Sequence, residues 1–161
     1  MNDIDLLLAG PEDWDRIPLI YEADGYDGAA RAMREGAAAE LEQYHRGDRI
    51  LYFALVGETP VGTVGLVFRG RDAGFADGTT SANVNRLHVV QAQRRRGIGT
   101  LLMTSVEVEA RRRGYRRLTI EVEDENEPAL ALYEKLGFAR TGRGHASNEL
   151  AMAKELRSGP E

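Results

Sequence analysis

The chain of 161 residues is 42% hydrophobic and 29% charged, which is the composition of one globular domain with enough apolar material to build a core. It contains no cysteine, so disulfides, thiolate metal ligands and a cysteine nucleophile are excluded, and its three scattered histidines indicate no metal site. The net charge of −5 disfavours a nucleic-acid-binding domain, although arginines concentrate in the middle of the chain, and we expect no nucleic acid partner.

No apolar run approaches the length of a membrane span, and the first residues carry acids where a secretory signal would carry Lys or Arg. We therefore expect a cytoplasmic protein that makes no membrane contact.

The first half of the chain predicts a strand, two helices and three further strands, in that order. The strands are "IDLLLA", "RILYFALV", "TPVGTVGLVF" and "SANVNRLHVV". The helices are "PEDWDRIPLIYEA", disturbed by Pro18, and "GAARAMREGAAAELEQYHRG", stopped by Gly47. Before the fourth strand, "RGRDAGFADGTT" predicts an exposed hairpin loop with Phe75 as its anchor.

The second half alternates helices and strands. From Ile98, apolar residues recur at helical spacing until Gly114 ends the run. The strand "LTIEVE" alternates, which places its apolar residues on one face and its polar residues on the other. The segment "ENEPALALYEKLGF" opens with two helix start signals, Asn126 and Pro128, and "FARTGR" with "NELAMAKEL" predicts an antiparallel ribbon. This order of elements indicates an α/β fold.

The stretch "QRRRGIGTLLM" combines three arginines, two glycines and the start of a helix. The first N–H groups of a helix have no partner within it and bind phosphate, and glycines let a ligand approach the backbone. Gly97 and Gly99 therefore predict a phosphate site rimmed by Arg94–Arg96. A P-loop is excluded because GxxxxGK[ST] is absent, and a dinucleotide fingerprint because Leu102 replaces its third glycine. A solvated arginine turn stays open as the alternative.

This stretch lies in "LHVVQAQRRRGIGTLL", and about thirty residues later the chain reads "NEPALALYEKLGF". Together, the two segments resemble the GNAT superfamily of acetyl-CoA-dependent N-acetyltransferases. The first signature of that family, R/Q-x-x-G-x-G/A, reads Arg94, Gly97 and Gly99 here. The second, an Asn and a helical Tyr followed by G-F, reads Asn126, Tyr133, Gly137 and Phe138. The proline that is frequent in the family is Gln91 in this chain.

The resemblance implies a GNAT-like α/β fold with a central mixed, mostly antiparallel twisted sheet. We expect six to seven strands and about four flanking helices, with the sheet splayed between the fourth and fifth strands. We also expect a single N-acetyltransferase domain over residues 1–157, followed by a frayed C-terminal tail at residues 158–161.

The resemblance also implies that acetyl-CoA is the cosubstrate and that no metal takes part. The strand around His88 would offer free main-chain groups to the pantetheine arm, and the arginine turn would hold the pyrophosphate of coenzyme A. The residues thereby assigned to cofactor binding are Leu87, His88, Val89, Arg94, Arg95, Arg96, Gly97, Ile98, Gly99, Thr100, Asn126 and Ala129.

Members of the family transfer the acetyl group directly from the thioester to an amine, which agrees with a chain without cysteine. By the resemblance, Glu121 is the general base that deprotonates the amine, and Tyr133 donates a proton to the leaving thiolate. His88 is the competing base because its ordinary pKa suits the work, while Glu123 and Asp124 would hold a cationic acceptor. A solvated carboxylate at Glu121 and core packing at Tyr133 are the structural alternatives.

The acceptor pocket is predicted in the first part of the chain. Family members wall their acceptor pocket with N-terminal helices, which indicates the acidic and aromatic residues of "IYEADGYDGAARAM", namely Tyr21, Glu22, Asp24, Tyr26 and Asp27. An ordinary loop between helices is the alternative. We predict an N-acetyltransferase that acts through a ternary complex on a primary amine of a small molecule or peptide, with a homodimer as an open assembly state. A non-catalytic acetyl-CoA-binding sensor is the second hypothesis.

Overall fold

The computed structural model of the protein describes residues 3–156, and the tail predicted at residues 158–161 lies outside them. Seven strands are formed: β1 Ile4–Leu8, β2 Arg49–Val56, β3 Thr59–Val67, β4 Ser81–Val89, β5 Arg117–Glu123, β6 Ala139–Arg143 and β7 Glu149–Glu155. The four α-helices are α1 Ile17–Glu22, α2 Asp27–His45, α3 Ile98–Arg112 and α4 Glu127–Lys135, and two 3-10 turns span Pro11–Arg16 and Gln91–Gln93. The predicted strands and helices are confirmed, and the first predicted helix consists of a 3-10 turn followed directly by α1. None of these helices is long and apolar enough to cross a membrane.

The strands form a mixed sheet in the order β1-β2-β3-β4-β5-β7-β6. β1 and β2, β5 and β7, and β6 and β7 pair antiparallel, whereas β4 and β5 pair parallel. The parallel register joins Ser81–Val84 to Arg117–Ile120, while β5 stays paired with β7 as far as Glu123. The parallel pair therefore opens beyond Val84, which confirms the predicted splay between the fourth and fifth strands.

The described chain divides into two compact units: residues up to Leu66 with Arg86–Thr104, and Val67–Asn85 with residues from Ser105 onward. The core of the first unit is a cluster of buried apolar side chains from its N-terminal turn, helices and β2, namely Ala9, Trp14, Ile17, Ile20, Met33, Leu51 and Phe53.

Gly62 in β3 marks a close approach within the first unit. A Cβ at this position would lie 3.1 Å from Cδ1 of Leu102 and 3.3 Å from both the His88 carbonyl oxygen and Cγ2 of Ile98. β3, β4 and the first turns of α3 therefore lie closer together than a side chain at Gly62 would permit.

In the second unit, β5 buries Leu118, Ile120 and Val122, as its alternation predicts. Thr119, on the opposite face, is also buried, and its Oγ1 donates a hydrogen bond to the Phe75 carbonyl at 2.8 Å. The loop between β3 and β4 thus covers this part of the polar face.

That loop is folded by its own hydrogen bonds. The Asp77 carboxylate accepts the backbone N–H groups of Thr79, Thr80 and Ser81 at 2.9, 2.7 and 2.9 Å. These bonds lower the pKa of Asp77 to about 2 because they favour its charged form. Ala76 is more deeply buried than Phe75, the predicted anchor, which is half-buried.

Candidate active site

The predicted phosphate site is a turn that leads from β4 into α3. After the 3-10 turn, Arg95 and Gly97 have left-handed backbones with φ of +66° and +78°, and α3 begins at Ile98. The Leu101 N–H donates to the Gly97 carbonyl at 3.0 Å, which closes the first helical turn. The N–H groups that precede this bond have no partner within the helix and lie at the positive end of its dipole; they belong to Ile98, Gly99 and Thr100.

The space in front of this turn is open, since a Cβ on Gly97 would meet no atom within 4 Å. The three arginines before Gly97 are exposed. Arg94 Nε donates to the Val89 carbonyl at 3.0 Å, and the Arg96 guanidinium donates to the Gln93 side chain, so both side chains are held beside the turn. Backbone amides facing open space, with guanidinium groups at the rim, fit a diphosphate.

The C-terminal half of β4 carries Leu87, His88 and Val89, all half-buried. Their main-chain groups are not all free as predicted, because the Val89 carbonyl accepts the hydrogen bond from Arg94. The arginine turn is therefore tied back to the strand that precedes it.

Asp24, between α1 and α2, holds β4 and the arginine turn together. Its carboxylate lies 2.8 Å from Nε2 of His88, accepts the Gln91 N–H at 3.0 and 3.1 Å, and lies 3.7 Å from Nη2 of Arg94. Only 8% of its side chain is exposed. Asp24, predicted to line the acceptor pocket, thus contacts a residue predicted to bind the cofactor.

His88 lies among aromatic rings as well as beside Asp24. Tyr21 stacks on its ring at 4.4 Å between centroids, and Tyr26 meets it edge-on at 5.6 Å. Burial lowers the pKa of His88 below its ordinary 6.5, partly offset by the hydrogen bond and charge of Asp24. A neutral ring that donates from Nε2 to Asp24 keeps Nδ1 as a hydrogen-bond acceptor, so the competing base has a chemically suitable environment.

The predicted acceptor residues do not form one group. Tyr21, Asp24 and Tyr26 surround His88, and burial raises the pKa of Tyr21 to about 12. Glu22 instead forms an ion pair with Arg34 on α2. Asp27 is exposed at the first residue of α2.

Arg86 interrupts β4 with a left-handed backbone, φ +57°, which is rare for a residue other than glycine. Its Nη2 donates to Oε2 of Glu40 at 2.7 Å, and Oε1 of Glu40 lies 3.3 Å from Nη1 of Arg49. The Glu40 and Arg49 side chains are buried, and burial lowers the pKa of Arg49. One buried carboxylate thus holds two guanidinium groups and fixes the irregular part of β4.

Glu121, the predicted base, lies on β5 at a cavity of about 110 Å³ within the second unit. Its Oε2 accepts the His145 backbone N–H at 2.6 Å, and its Oε1 lies 2.9 Å from the ring Nδ1 of His145. Nε2 of the same ring lies 3.0 Å from Oδ2 of Asp72, and the Phe75 ring lies 4.8 Å away between centroids. Glu121 is therefore part of a carboxylate–imidazole–carboxylate chain rather than a solvated strand residue.

Within residues 3–156, no group of three or more His, Cys, Asp or Glu side chains is arranged to hold a metal ion. The contacts that join Glu121, His145 and Asp72 are hydrogen bonds. Of the two neighbouring acids predicted to hold a cation, Asp124 lies 3.4 Å from Nη1 of Arg143, and Glu123 is exposed.

α4 begins as its sequence predicts. Asn126 caps the helix, with Oδ1 accepting the Ala129 N–H at 3.2 Å. Tyr133, one turn further on, is 6% exposed, and its ring lies 6.0 Å from that of Phe138. Burial of this tyrosine agrees with core packing and equally with a hydroxyl directed at a bound ligand.

The arginines at the end of α3 are paired with acids of the same helix. Arg111 lies 2.9 Å from Glu107, and Arg112 and Arg113 both bind Glu109. Arg113 also lies over the Phe68 ring. These ion pairs connect successive turns at the C-terminal end of α3.

Residues 14–138 match the family model described as the acetyltransferase (GNAT) family. Since the match covers more than half of the chain, the protein belongs to this family. It is therefore an acetyltransferase, and acetyl-CoA is its cosubstrate.

Solved structures of other acetyltransferases share the fold at low sequence identity. The PaiA N-acetyltransferase from Thermoplasma acidophilum, solved in complex with coenzyme A, has a TM-score of 0.74 at 17% identity, covering 95% of this chain and 99% of that one. An N-acetyltransferase from Staphylococcus aureus Mu50 has a TM-score of 0.75 at 21% identity, with 96% and 99% covered. An aminoglycoside 6'-acetyltransferase type Ii has a TM-score of 0.72 at 20% identity, with 97% and 99% covered. No curated protein sequence matches the chain.

Five residues of the clusters around Glu121 and Arg86 were not predicted from the sequence: Asp72, His145, Glu40, Arg49 and Arg86. Asp72 and His145 are separated by 73 residues. Glu40 and Arg86 are separated by 46. The sequence carries no local signal for Glu40, because its burial and its need for a cationic partner become visible only in the folded structure.

Proposed function

We propose that the protein is an N-acetyltransferase that transfers the acetyl group of acetyl-CoA directly to a primary amine in a ternary complex. The acceptor belongs to a small molecule or a peptide. The observation that carries this proposal is the match to the GNAT family over residues 14–138, together with an open, arginine-rimmed helix N-terminus at the expected signature. One domain spanning residues 1–157 would perform the reaction.

Binding of the cosubstrate is assigned to the arginine turn and its neighbours. The amides of Ile98, Gly99 and Thr100, with Gly97 and the arginines before them, would hold the pyrophosphate. The main chain of Leu87–Val89 would contact the pantetheine arm. The resemblance to the family also assigns Asn126 and Ala129 to cofactor binding. The open space in front of Gly97 supports this assignment.

The chemistry needs a base, a charge-stabilising environment and an acid. Glu121 would take a proton from the acceptor ammonium, and the lone pair of the amine would then attack the thioester carbonyl. As the tetrahedral intermediate collapses, Tyr133 would donate its proton to the departing sulfur, and the second proton of the former ammonium would restore the phenol. His88 is the alternative base, and its hydrogen bond through Nε2 to Asp24 supports that second assignment.

The experiment that tests the function is a screen of amines with acetyl-CoA in which thiol release is followed. Because the protein has no cysteine, free coenzyme A is the only thiol in the purified assay. The panel would contain a polyamine, an aminoglycoside, amino acids and a peptide N-terminus. The aminoglycoside is included because one structural neighbour is an aminoglycoside acetyltransferase. A protein that binds coenzyme A but acetylates no member would instead support the sensor hypothesis.

The cytoplasm is the proposed location, which is supported by a sequence that needs no oxidising compartment for disulfides. A homodimer is compatible with this function and would be tested by light scattering.

A further inference from the structure

The ring of His145 lies between two carboxylates, one at each of its nitrogens. Nδ1 lies 2.9 Å from Oε1 of Glu121, and Nε2 lies 3.0 Å from Oδ2 of Asp72. An ionised carboxylate only accepts hydrogen bonds, and a neutral imidazole carries one N–H, so a ring that bonds to both carboxylates is the protonated imidazolium. The two carboxylates therefore hold one cation between them in this structure.

This cation covers the proposed base. Nδ1 of His145 lies 2.9 and 3.0 Å from the two oxygens of Glu121, and the backbone N–H of His145 donates to Oε2 at 2.6 Å. An acceptor ammonium must come within hydrogen-bond distance of the base before it can give up a proton. The imidazolium must therefore move away from Oε1 of Glu121 before an acceptor can react there.

The ring can move without unfolding the loop between β6 and β7 that carries it. The His145 side chain is 58% exposed. The loop is held by its backbone, since the Gly144 N–H donates to the Glu149 carbonyl at 2.9 Å and the Glu149 N–H donates to the Ala146 carbonyl at 3.0 Å. Rotation of the His145 side chain would break the ring's hydrogen bonds and keep the backbone bond to Oε2, so Glu121 would stay in place.

The space beside the ring suits an aliphatic cation. The cavity of about 110 Å³ in the second unit has apolar side chains in its wall, namely Val67, Phe75 and Ala76. Arg71, which is exposed, also lines it. Without the imidazolium, the carboxylates of Glu121 and Asp72 would face this one guanidinium, so the cavity would carry a net negative charge.

We propose that the acceptor is an aliphatic diamine that displaces the His145 ring and binds between Glu121 and Asp72. This inference rests on the proposed function, because it places the acceptor at the proposed base. One nitrogen of the diamine would take the position of Nδ1 at Glu121 and react there. The other would take the position of Nε2 at Asp72 and remain an ammonium, and the alkyl chain would contact the apolar wall of the cavity.

The same charges favour release of the product. The reacting ammonium loses two protons when it becomes an amide N–H: the thiol of free coenzyme A accounts for one, and the other passes to Glu121 and then to water. The monoacetylated product carries one positive charge where the diamine carried two. It therefore binds the two carboxylates less tightly than the diamine does, and the imidazolium of His145 can replace it.

Competition between the ring and the diamine depends on pH. The groups that face His145 are Glu121 from β5, Asp72 and Arg71 from the loop after β3, and Glu149, whose side chain accepts the Ala146 N–H. The pKa of His145 is raised above 6.5, first by the hydrogen bond and charge of Glu121 and then by Asp72. Below that raised pKa the ring is charged and competes, whereas the neutral ring can donate to only one carboxylate. Affinity for a diamine should therefore rise as pH rises through the raised pKa.

The first test uses the native protein with coenzyme A, diaminobutane as the probe and butylamine as the matched monoamine. Calorimetry at pH 8.5 should show diaminobutane binding about three- to tenfold more tightly, the gain from one further exposed ion pair. The imidazole signals of the three histidines can be followed by NMR. Diaminobutane should return the pKa of His145 toward 6.5 and leave His45, an exposed residue on α2, unchanged.

The second test removes the ring. His145→Ala should bind diaminobutane about three- to tenfold more tightly than the native protein at pH 6.5, because no imidazolium has to be displaced. Its affinity should not rise with pH as that of the native protein does. His45→Ala is the control and should bind as the native protein.

The third test removes the second carboxylate in the His145→Ala background, where the ring does not compete. Adding Asp72→Asn should abolish the preference for diaminobutane over butylamine, because the second nitrogen then lacks an anionic partner. Asp15→Asn in the same background, at an exposed acid, should keep the preference.

The measurements of binding need no turnover, so the two hypotheses can fail separately. Equal affinity of the native protein for diaminobutane and butylamine, or a pKa of His145 that diaminobutane does not change, would overturn the inference. The proposed function would stand if another amine of the screen is acetylated. A native protein that acetylates no amine would overturn the proposed function, and with it the assignment of a diamine as acceptor.

Discussion

Asp24 lies 2.8 Å from Nε2 of His88, although 64 residues separate them in the chain. The same carboxylate accepts the N–H of Gln91 at the start of the arginine turn. One buried acid therefore fixes the competing base and the proposed phosphate site relative to each other.

Asp24→Asn should destabilise the protein and make it more sensitive to acid. The loss at neutral pH should be about 1–2 kcal/mol, the scale of a hydrogen bond to a charged group. Burial holds the pKa of His88 below 6.5, so the folded state binds this proton less tightly than the unfolded state. The resulting stabilisation is present above pH 6.5 and is lost as pH falls from 6.5 toward the folded pKa.

The substitution removes the attraction that raises the pKa of His88. The pKa of His88 should therefore fall further, and the variant should lose more of its free energy of unfolding than the native protein does when the pH is lowered. Urea unfolding at pH 7.5 and 5.5 would measure both effects. Asp15→Asn, at an exposed acid, is the control. A variant whose stability depends on pH as the native protein does would show that Asp24 does not govern His88.

Gly97→Asp should abolish the rise in melting temperature that coenzyme A causes, because it adds a negative charge where the pyrophosphate is proposed to bind. Gly97 has φ +78° with open space in front of it, and Gly47 has φ +80° with equally open space. Gly47→Asp is therefore a control matched in backbone strain and should keep the shift. Thermal unfolding with millimolar coenzyme A is the measurement, and equal shifts in both variants would contradict the assignment of the turn.

Glu121→Gln should lower turnover most at low pH while leaving coenzyme A binding unchanged. The pKa of His145 is raised chiefly by Glu121, so it should fall toward 6.5 in this variant. Turnover would be measured from pH 6 to 9. The pKa of His145 would be followed through its imidazole signals by NMR. Unchanged activity across pH would remove Glu121 from the mechanism, and His88→Gln would then test the alternative base.

Tyr133→Phe should keep coenzyme A affinity within a few-fold and lower turnover by roughly ten- to a thousandfold. The hydroxyl of tyrosine is a hydrogen-bond donor, and phenylalanine lacks it. The variant keeps the ring that packs near Phe138, so stability should be nearly unchanged. Tyr115→Phe, whose ring packs on Phe68, is the control. Intact turnover with a melting point several degrees lower would identify Tyr133 as a core residue.

The helices, the strands and the arginine turn could be predicted from the sequence because they depend on local patterns. Helix start signals such as Asn126, turn glycines such as Gly47 and the alternation of β5 act over a few residues. The partners of Glu121 and His88 could not be predicted in this way. Asp72 and His145 come from two separate loops of the second unit, and Asp24 contacts His88 only once α1 and β4 have packed. Thr119 is buried for the same reason, since a distant loop covers it.

Gly62 and Gly97 are required for different reasons, and a complete substitution scan should separate them. At Gly97 the constraint is conformational, so asparagine, which tolerates left-handed backbones, should be accepted better than valine. At Gly62 the constraint is steric, because any Cβ would lie too close to Leu102, Ile98 and the His88 carbonyl. The stability of Gly62 variants should fall steadily as the volume of the new side chain increases. A second substitution of Leu102 or Ile98 by a smaller residue should restore part of that stability.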